Sequence, residues 1–197
     1  MDCCEPPVSL DVETTSPEHR LAVRGFVALW NGRQPSLPEL DAAPAVVELM
    51  QHHGRIVIGP DGRVAGIHGL STGPTPHHIA HEGRVIHTWC AFDAIGIPAA
   101  LGLDAHAITT CPTCGRQLDV TFTNGEPTAE PDLRLWLPSS QCDHLLNDLC
   151  AHANLDCNTH HLTANHTRPT GSALTVTQAA TFGRSTWHQA ATALTPP

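Results

Sequence analysis

The chain has 197 residues, 41% hydrophobic and 15% charged, which suffices for one medium domain or two small ones and is too apolar for wholesale disorder. Nineteen acidic residues face ten basic ones, all Arg, giving a formal net charge of −9; with no basic run to offset this locally, a nucleic-acid partner is disfavoured. The longest apolar stretches, such as Ile95 to Leu103, are too short to span a bilayer. The opening Met1-Asp2-Cys3-Cys4-Glu5 lacks the basic and apolar regions of a signal peptide, so no membrane role is expected and the cytoplasm is the default compartment.

Residues 1–16 carry Pro, Ser, Thr and acids without a period and read as a flexible leader. From Pro17 to Asn31 the positions Leu21, Val23, Phe26, Val27, Leu29 and Trp30 suit an amphipathic helix, with Ser16 as N-cap, Pro17 at the first position and Gly32 as the stop. A short second helix is expected after Ser36. A third covers about Ala43 to His53, with Val46, Val47, Leu49 and Met50 inward. Two β-rich runs around Pro60-Asp61-Gly62 then form a hairpin. Three helices and a hairpin over 17–73 make a winged-helix-like pattern. Its third helix carries Glu48 and no Arg or Lys before Arg55, so it lacks phosphate-positioning groups. A structural or substrate-covering role is expected instead.

Pro74 to Gly83 reads as a Pro/His-rich loop, and a core over 84–197 follows. A strand leads into a helix starting near Trp89. Residues 106–111, 118–123 and 133–137 read as strands of an antiparallel sheet. A helix over 139–149 ends near Cys150, a Cys/His-rich loop runs to His166, and a final helix begins near Thr177 and passes Phe182 and Trp187. The expected fold class is α+β: a winged-helix-like N-terminal part packed on a mixed core with an antiparallel sheet.

Eight cysteines in a reducing compartment stay thiols, and thiols in such number point to metal chemistry or catalysis rather than to a disulfide framework. Cys90 and Asp93 are three apart, so on a helix they share one face. A thiolate at a helix N-terminus is favoured by the unpaired amides and the macrodipole. A buried Cys at such a place is also a common packing residue.

Trp89-Cys90-Ala91-Phe92-Asp93, followed by Ile97-Pro98-Ala99 and Leu101-Gly102, resembles the signature of the organomercurial (alkylmercury) lyases. That family has a Trp-Cys-Ala-Leu-Asp stretch leading to Phe-Pro-Ala and a Gly. Its second catalytic Cys lies some sixty residues later in a Phe-Cys-Cys-His-like stretch; Leu149-Cys150-Ala151-His152 fills that place here, and Cys111 matches a further structural cysteine. The resemblance runs over roughly 17–190. It departs at Ala151, where the family has a second Cys, and at His87-Thr88, where the family has a Tyr nearby.

The resemblance implies protonolytic cleavage of a carbon–mercury bond to hydrocarbon and Hg(II), with Cys90, Asp93 and Cys150 as catalytic residues and as ligands of the Hg(II) product. Mercury is soft, so thiolate is its preferred ligand. One thiolate captures R–Hg⁺, the second enriches the metal in electrons, and Asp93 passes a proton to carbon. Small thiols, or a mercuric reductase, then take the Hg(II). No organic cofactor is implied.

The competing reading is a non-catalytic zinc- or mercury-binding or sensor protein on the same scaffold. Cys111-Pro-Thr-Cys114 is a C-x₂-C pair that zinc uses, and Cys150 with Cys157, or His152, His160 and His161, would complete a tetrahedral structural site. The His-rich 152–166 stretch otherwise reads as a solvated loop. Cys3 and Cys4 read as a passive tail, and Cys142 has no assigned role.

Overall fold

The computed structural model describes residues 16–139, 143–165 and 168–194, so Cys3, Cys4 and Cys142 lie outside the described residues. The first helix, α1 (Pro17–Trp30), starts where Ser16 Oγ accepts the His19 N–H at 3.1 Å, and it buries Leu21, Phe26, Leu29 and Trp30. The element expected after Ser36 is a single 3₁₀ turn, Pro38–Leu40. In α2 (Pro44–His52) Val47 and Met50 are buried, whereas Leu49, expected inward, is 43% exposed. Two residues from Val47 is about 200° around a helix, so Leu49 faces away from the stripe that meets the core.

Eight strands form one antiparallel sheet: β1 (Ile56–Ile58), β2 (Val64–Ile67), β3 (Leu70–Ser71), β4 (His78–His81), β5 (Arg84–Thr88), β6 (Ala105–Thr110), β7 (Gln117–Thr123) and β8 (Glu126–Thr128). Their order is β1-β2-β3-β5-β4-β6-β7-β8. The expected hairpin after α2 is the edge of this sheet, and the stretch expected as a Pro/His-rich loop holds β4, one of its inner strands. In β7, Leu118, Val120 and Phe122 are buried while the alternate positions are exposed, so one face of this strand is wet.

A second sheet contains β9 (Arg134–Pro138), β10 (Leu155–Asp156) and β11 (Gly171–Leu174) in the order β10-β9-β11. The run expected at 133–137 therefore pairs away from β6 and β7. The turn at Asn124-Gly125 returns the chain as β8 and closes that edge first. The loop expected up to His166 contains β10 and a short helix, α4 (Thr159–Ala164). A buried ion pair at 2.7 Å joins Asp156 to Arg168 across that segment.

Helix α3 (Ala91–Leu101) is buried at every position from Ala91 to Ala99, so it is a core helix with no wet face. It packs against α5 (Val176–Thr186) and α6 (His188–Leu194), the two parts into which the expected last helix divides. The α3–α5 approach needs glycine on both sides. A Cβ on Gly96 would stand 2.9 Å from Gly183 Cα, and one on Gly183 would fall on the Gly96 backbone. Overpacking at a backbone contact costs about 3 kcal/mol. Gly183→Ala is therefore expected to lower Tm by roughly 6–12 °C, measured by calorimetry; an unchanged Tm would mean that the helices do not cross here. Among the described residues, no helix is long and apolar enough to cross a membrane.

Candidate active site

Cys90 is the N-cap of α3, in extended backbone between β5 and the helix. Its N–H donates to Asp93 Oδ2 at 2.9 Å, and its thiol donates to the same oxygen at 3.1 Å. This is a capping box with sulfur in place of the usual hydroxyl. The same local geometry that starts the helix thus aims a thiol at a carboxylate.

Cys150 arrives from the other side of the core. It ends a helical stretch, Leu145–Cys150, that is wound as a π-turn: the Ala151 N–H donates five residues back to Leu146 O at 3.0 Å. Two ties hold this stretch in place. Leu145 N–H donates to His53 O at 2.8 Å, at the end of α2, and Ala91 N–H donates to Ala153 O at 3.1 Å, at the start of α3. The sequence reading expected a longer regular helix here, over 139–149.

The Cys90 and Cys150 sulfurs and an Asp93 oxygen lie within 4.8 Å of one another, and all three residues are buried. Burial dominates their electrostatics. It pushes Asp93 up to about 7, against the hydrogen bonds from Cys90 and the Trp89 backbone that favour the carboxylate. It also drives Cys90 well above the usual thiol range, helped by the hydrogen bond that its thiol donates to Cys150 and by the Asp93 charge. For Cys150 the hydrogen bond with Cys90 favours the thiolate, but burial and the Asp93 charge outweigh it and the thiol is raised. The resting cluster therefore holds two protonated thiols beside a carboxyl group poised to take or give a proton near neutral pH.

A cavity of about 240 Å³ opens above the cluster. Asp93 and Cys150 line it together with Met50, Phe92, Leu149 and Trp187, so its walls are mainly apolar. Its far side includes Glu18 and His19 of α1. Two further lining residues, His68 and Gly69, were not singled out in the sequence. They form the two-residue turn between β2 and β3, both with left-handed backbone (φ 52° and 89°), as a tight hairpin requires. Gly69 lets this turn press on the carboxylate, since a Cβ there would stand 3.0 Å from the Asp93 side chain. His68 is half-buried, with its Nε2 shielded from solvent. Desolvation, then the nearby His19, lowers it to about 4, so it is a neutral imidazole, and its Nε2 has no hydrogen-bond partner among the described residues. A His-Gly pair between two short apolar runs was the available signal.

The other candidate ligands divide. Cys111, Cys114, Cys157 and His161 converge in a second group, also within 4.8 Å of one another. Cys150, the completing thiol considered alongside Cys157, belongs to the first group, and neither His152 nor His160 joins either one.

A family model described as alkylmercury lyase matches residues 70–188, more than half of the chain. This chain belongs to the alkylmercury lyase family. The matched span of this family member contains Cys90, Asp93 and Cys150 and begins after most of the N-terminal helical region. Among curated relatives, an alkylmercury lyase of Streptomyces lividans is 38% identical over 68 residues, 34% of this chain and 31% of that one. One of Staphylococcus epidermidis is 32% identical over 76 residues, 39% of this chain and 35% of that one. The alignments thus span about a third of the length of these relatives. A solved structure, the mercury-bound form of MerB2, superposes with a TM-score of 0.78 at 21% identity, covering 90% of this chain and 94% of that one. The fold is therefore shared with that structure over nine tenths of this chain.

Proposed function

We propose that this protein is an organomercurial lyase: it cleaves the carbon–mercury bond of alkyl- or arylmercury by protonolysis, giving hydrocarbon and Hg(II). The observation that carries this reading is two buried thiols and a carboxylate within 4.8 Å of one another, with Cys150 and Asp93 lining an apolar cavity and Cys90 behind them. Two soft ligands can hold one mercury between them, and a proton carrier lies in reach of its carbon. Family membership and the likeness to a mercury-bound relative support it.

The chemistry follows from exposure and hydrogen bonding. Cys150 lines the cavity, whereas Cys90 is wholly buried, so Cys150 captures R–Hg⁺ first and releases its proton with the departing ligand. Cys90 then passes its proton to Asp93 along their 3.1 Å contact, and its sulfur binds mercury. Asp93 delivers that proton to carbon as the carbon–mercury bond breaks. The electron pair of that bond becomes the new C–H bond, Asp93 returns to carboxylate, and Hg(II) remains on the two sulfurs. Small thiols, or a mercuric reductase, remove it.

The N-terminal region over 17–73, winged-helix-like in its order of elements, acts as the cover of the site and the 84–197 region as the catalytic core. Support comes from Glu18, His19, Ala22, Met50 and Arg55, which all face the cavity. The cytoplasm suits a chain with five free cysteines among its described residues.

The test is gas chromatography of methane or benzene released from methyl- or phenylmercury with excess thiol. Release well above the thiol-only control is expected. Stoichiometric mercury binding without hydrocarbon would make the protein a binder or sensor instead. The pH profile tests the relay. Asp93 must be ionised to accept the Cys90 proton, so kcat/KM is expected to rise about tenfold per pH unit below its value of about 7 and to level off above it. A rate that falls through pH 7 would make Asp93 a direct acid and sink the relay.

A further inference from the structure

The second cluster lies outside the cavity and has the form of a finished metal site. Cys111 ends the approach of β6, Cys114 stands in the turn before β7, Cys157 follows β10, and His161 lies in α4. Cys111 Sγ is 3.6 Å from His161 Nδ1, and Cys114 Sγ is 3.4 Å from Cys157 Sγ. The second distance is far longer than a disulfide bond of about 2.05 Å. Both are near the edges of a tetrahedron with metal–sulfur bonds of about 2.3 Å and metal–nitrogen bonds of about 2.0 Å, which are roughly 3.8 Å between sulfurs and 3.5 Å from sulfur to nitrogen.

The surroundings are built for such an ion. The 111–116 turn closes on itself, with Gly115 N–H donating to Cys111 O and Cys111 N–H to Arg116 O, each at 2.9 Å. Gly115 supplies the left-handed residue this turn needs (φ 74°). Backbone N–H groups of Cys157, Cys114 and Thr113 hydrogen-bond to the Cys111 sulfur, as amides do around metal-bound thiolates. Asn158 caps α4 by accepting the His161 N–H at 2.9 Å, and Thr113 Oγ1 donates to His161 O at 3.2 Å, so the imidazole is fixed at both ends of its residue. Arg116, paired with Glu130 at 2.8 Å, also hydrogen-bonds to Cys157 and offsets negative charge there.

We propose that Cys111, Cys114, Cys157 and His161 form a closed structural site for one zinc ion, which staples the β6–β7 turn to the segment running on from Cys150. Three thiolates and one imidazole are a zinc donor set, and four protein ligands leave no open position for chemistry. The staple acts at a distance on the active site. Only six residues separate Cys150 from Cys157, and among them Ala153 O receives the N–H that starts α3. Fixing Cys157 thus limits how far Cys150 can drift from Cys90. The proposal is independent of whether the protein is a lyase.

The experiment uses the untagged full chain with Cys90→Ser and Cys150→Ser, so that the active-site thiols contribute nothing. After reconstitution with Zn²⁺ and desalting, elemental analysis is expected to find one zinc per chain. Co²⁺ is expected to give the intense visible bands of a tetrahedral ion with sulfur-to-metal charge transfer. Both signals should disappear in Cys114→Ser, at the exposed ligand, and in His161→Ala, with far-UV circular dichroism unchanged. Should the double variant fail to fold, the wild-type chain is compared with Cys114→Ser, which should hold one zinc fewer. Less than half an equivalent of zinc in the folded chain, an octahedral cobalt spectrum, or a Cys114–Cys157 disulfide recovered under reducing conditions would each overturn the proposal.

Discussion

Cys90→Ser and Cys150→Ser are each expected to reduce hydrocarbon release by on the order of 10⁴-fold or more, and the double variant by no more than either alone, because residues acting as one unit do not add. The two changes fail at different stages. Hydroxyl is a poor ligand for a soft metal, so Cys150→Ser loses the thiol that meets substrate in the cavity and should not capture R–Hg⁺ at the site. Cys90→Ser keeps that thiol and should accumulate a monothiolate adduct with its carbon still attached. Peptide mapping by mass spectrometry distinguishes them: an R–Hg group on the Cys150 peptide of Cys90→Ser, and none on the Cys90 peptide of Cys150→Ser. If the pattern is reversed, the order of capture derived from exposure is wrong. Replacing Cys111, Cys114 or Cys157 should lower stability and loosen the hold on Cys150, slowing hydrocarbon release far less than loss of Cys90 or Cys150.

Asp93→Asn is expected to bind organomercurial and to lose about 10²–10⁴-fold in hydrocarbon release, the usual contribution of a positioned acid–base group. Its stability carries a second signature. Burial raises Asp93 from 3.8 to about 7 in the folded chain. A raised value means that the folded state favours the protonated carboxyl, an advantage present in full below pH 3.8 and lost as pH climbs through about 7. Above that, the ionised buried carboxylate costs about 4 kcal/mol relative to the protonated form. Asparagine escapes that cost, so the variant's Tm should gain on wild type between about pH 4 and pH 7 and hold a constant lead above that. A Tm difference independent of pH would mean that the carboxylate is well solvated and unfit for the relay. Near wild-type turnover would remove Asp93 from the mechanism.

The local parts of this structure were legible where a single short-range cause decides them. Ser16-Pro17 fixes the start of α1, and Pro60-Asp61-Gly62 fixes a hairpin, because capping and turn chemistry act within a few residues. Cys90 and Asp93 could be placed on one helical turn for the same reason. Asn124-Gly125 is equally readable as a two-residue hairpin; its return strand β8 takes the edge beside β7, so the run expected at 133–137 pairs in the other sheet. Other features had no local cause. β4 carries His78 and His81 with only two apolar residues between them, and it becomes an inner strand through its pairing with β5 and β6. The π-turn before Cys150 is imposed by ties to His53 and to the start of α3. The sequence offers His161 both as a zinc ligand and as part of a solvated loop; Asn158 and Thr113 are what fix it beside three sulfurs.

The depth of Cys90 has a kinetic consequence. Asp93 and Cys150 line the cavity, while Cys90 stands wholly buried behind them. On the proposed lyase reading, a mercury ion left between the two sulfurs would be approached from one side only. An incoming thiol must enter a space of about 240 Å³ and exchange with Cys150 before Cys90 lets go. On that reading departure is associative and ordered, Cys150 exchanging first and Cys90 second as on arrival, so its rate is expected to follow the concentration and girth of the acceptor rather than spontaneous dissociation. A slender monothiol can carry out both exchanges within the cavity, whereas a bulky dithiol must draw the metal outward before its second sulfur can engage.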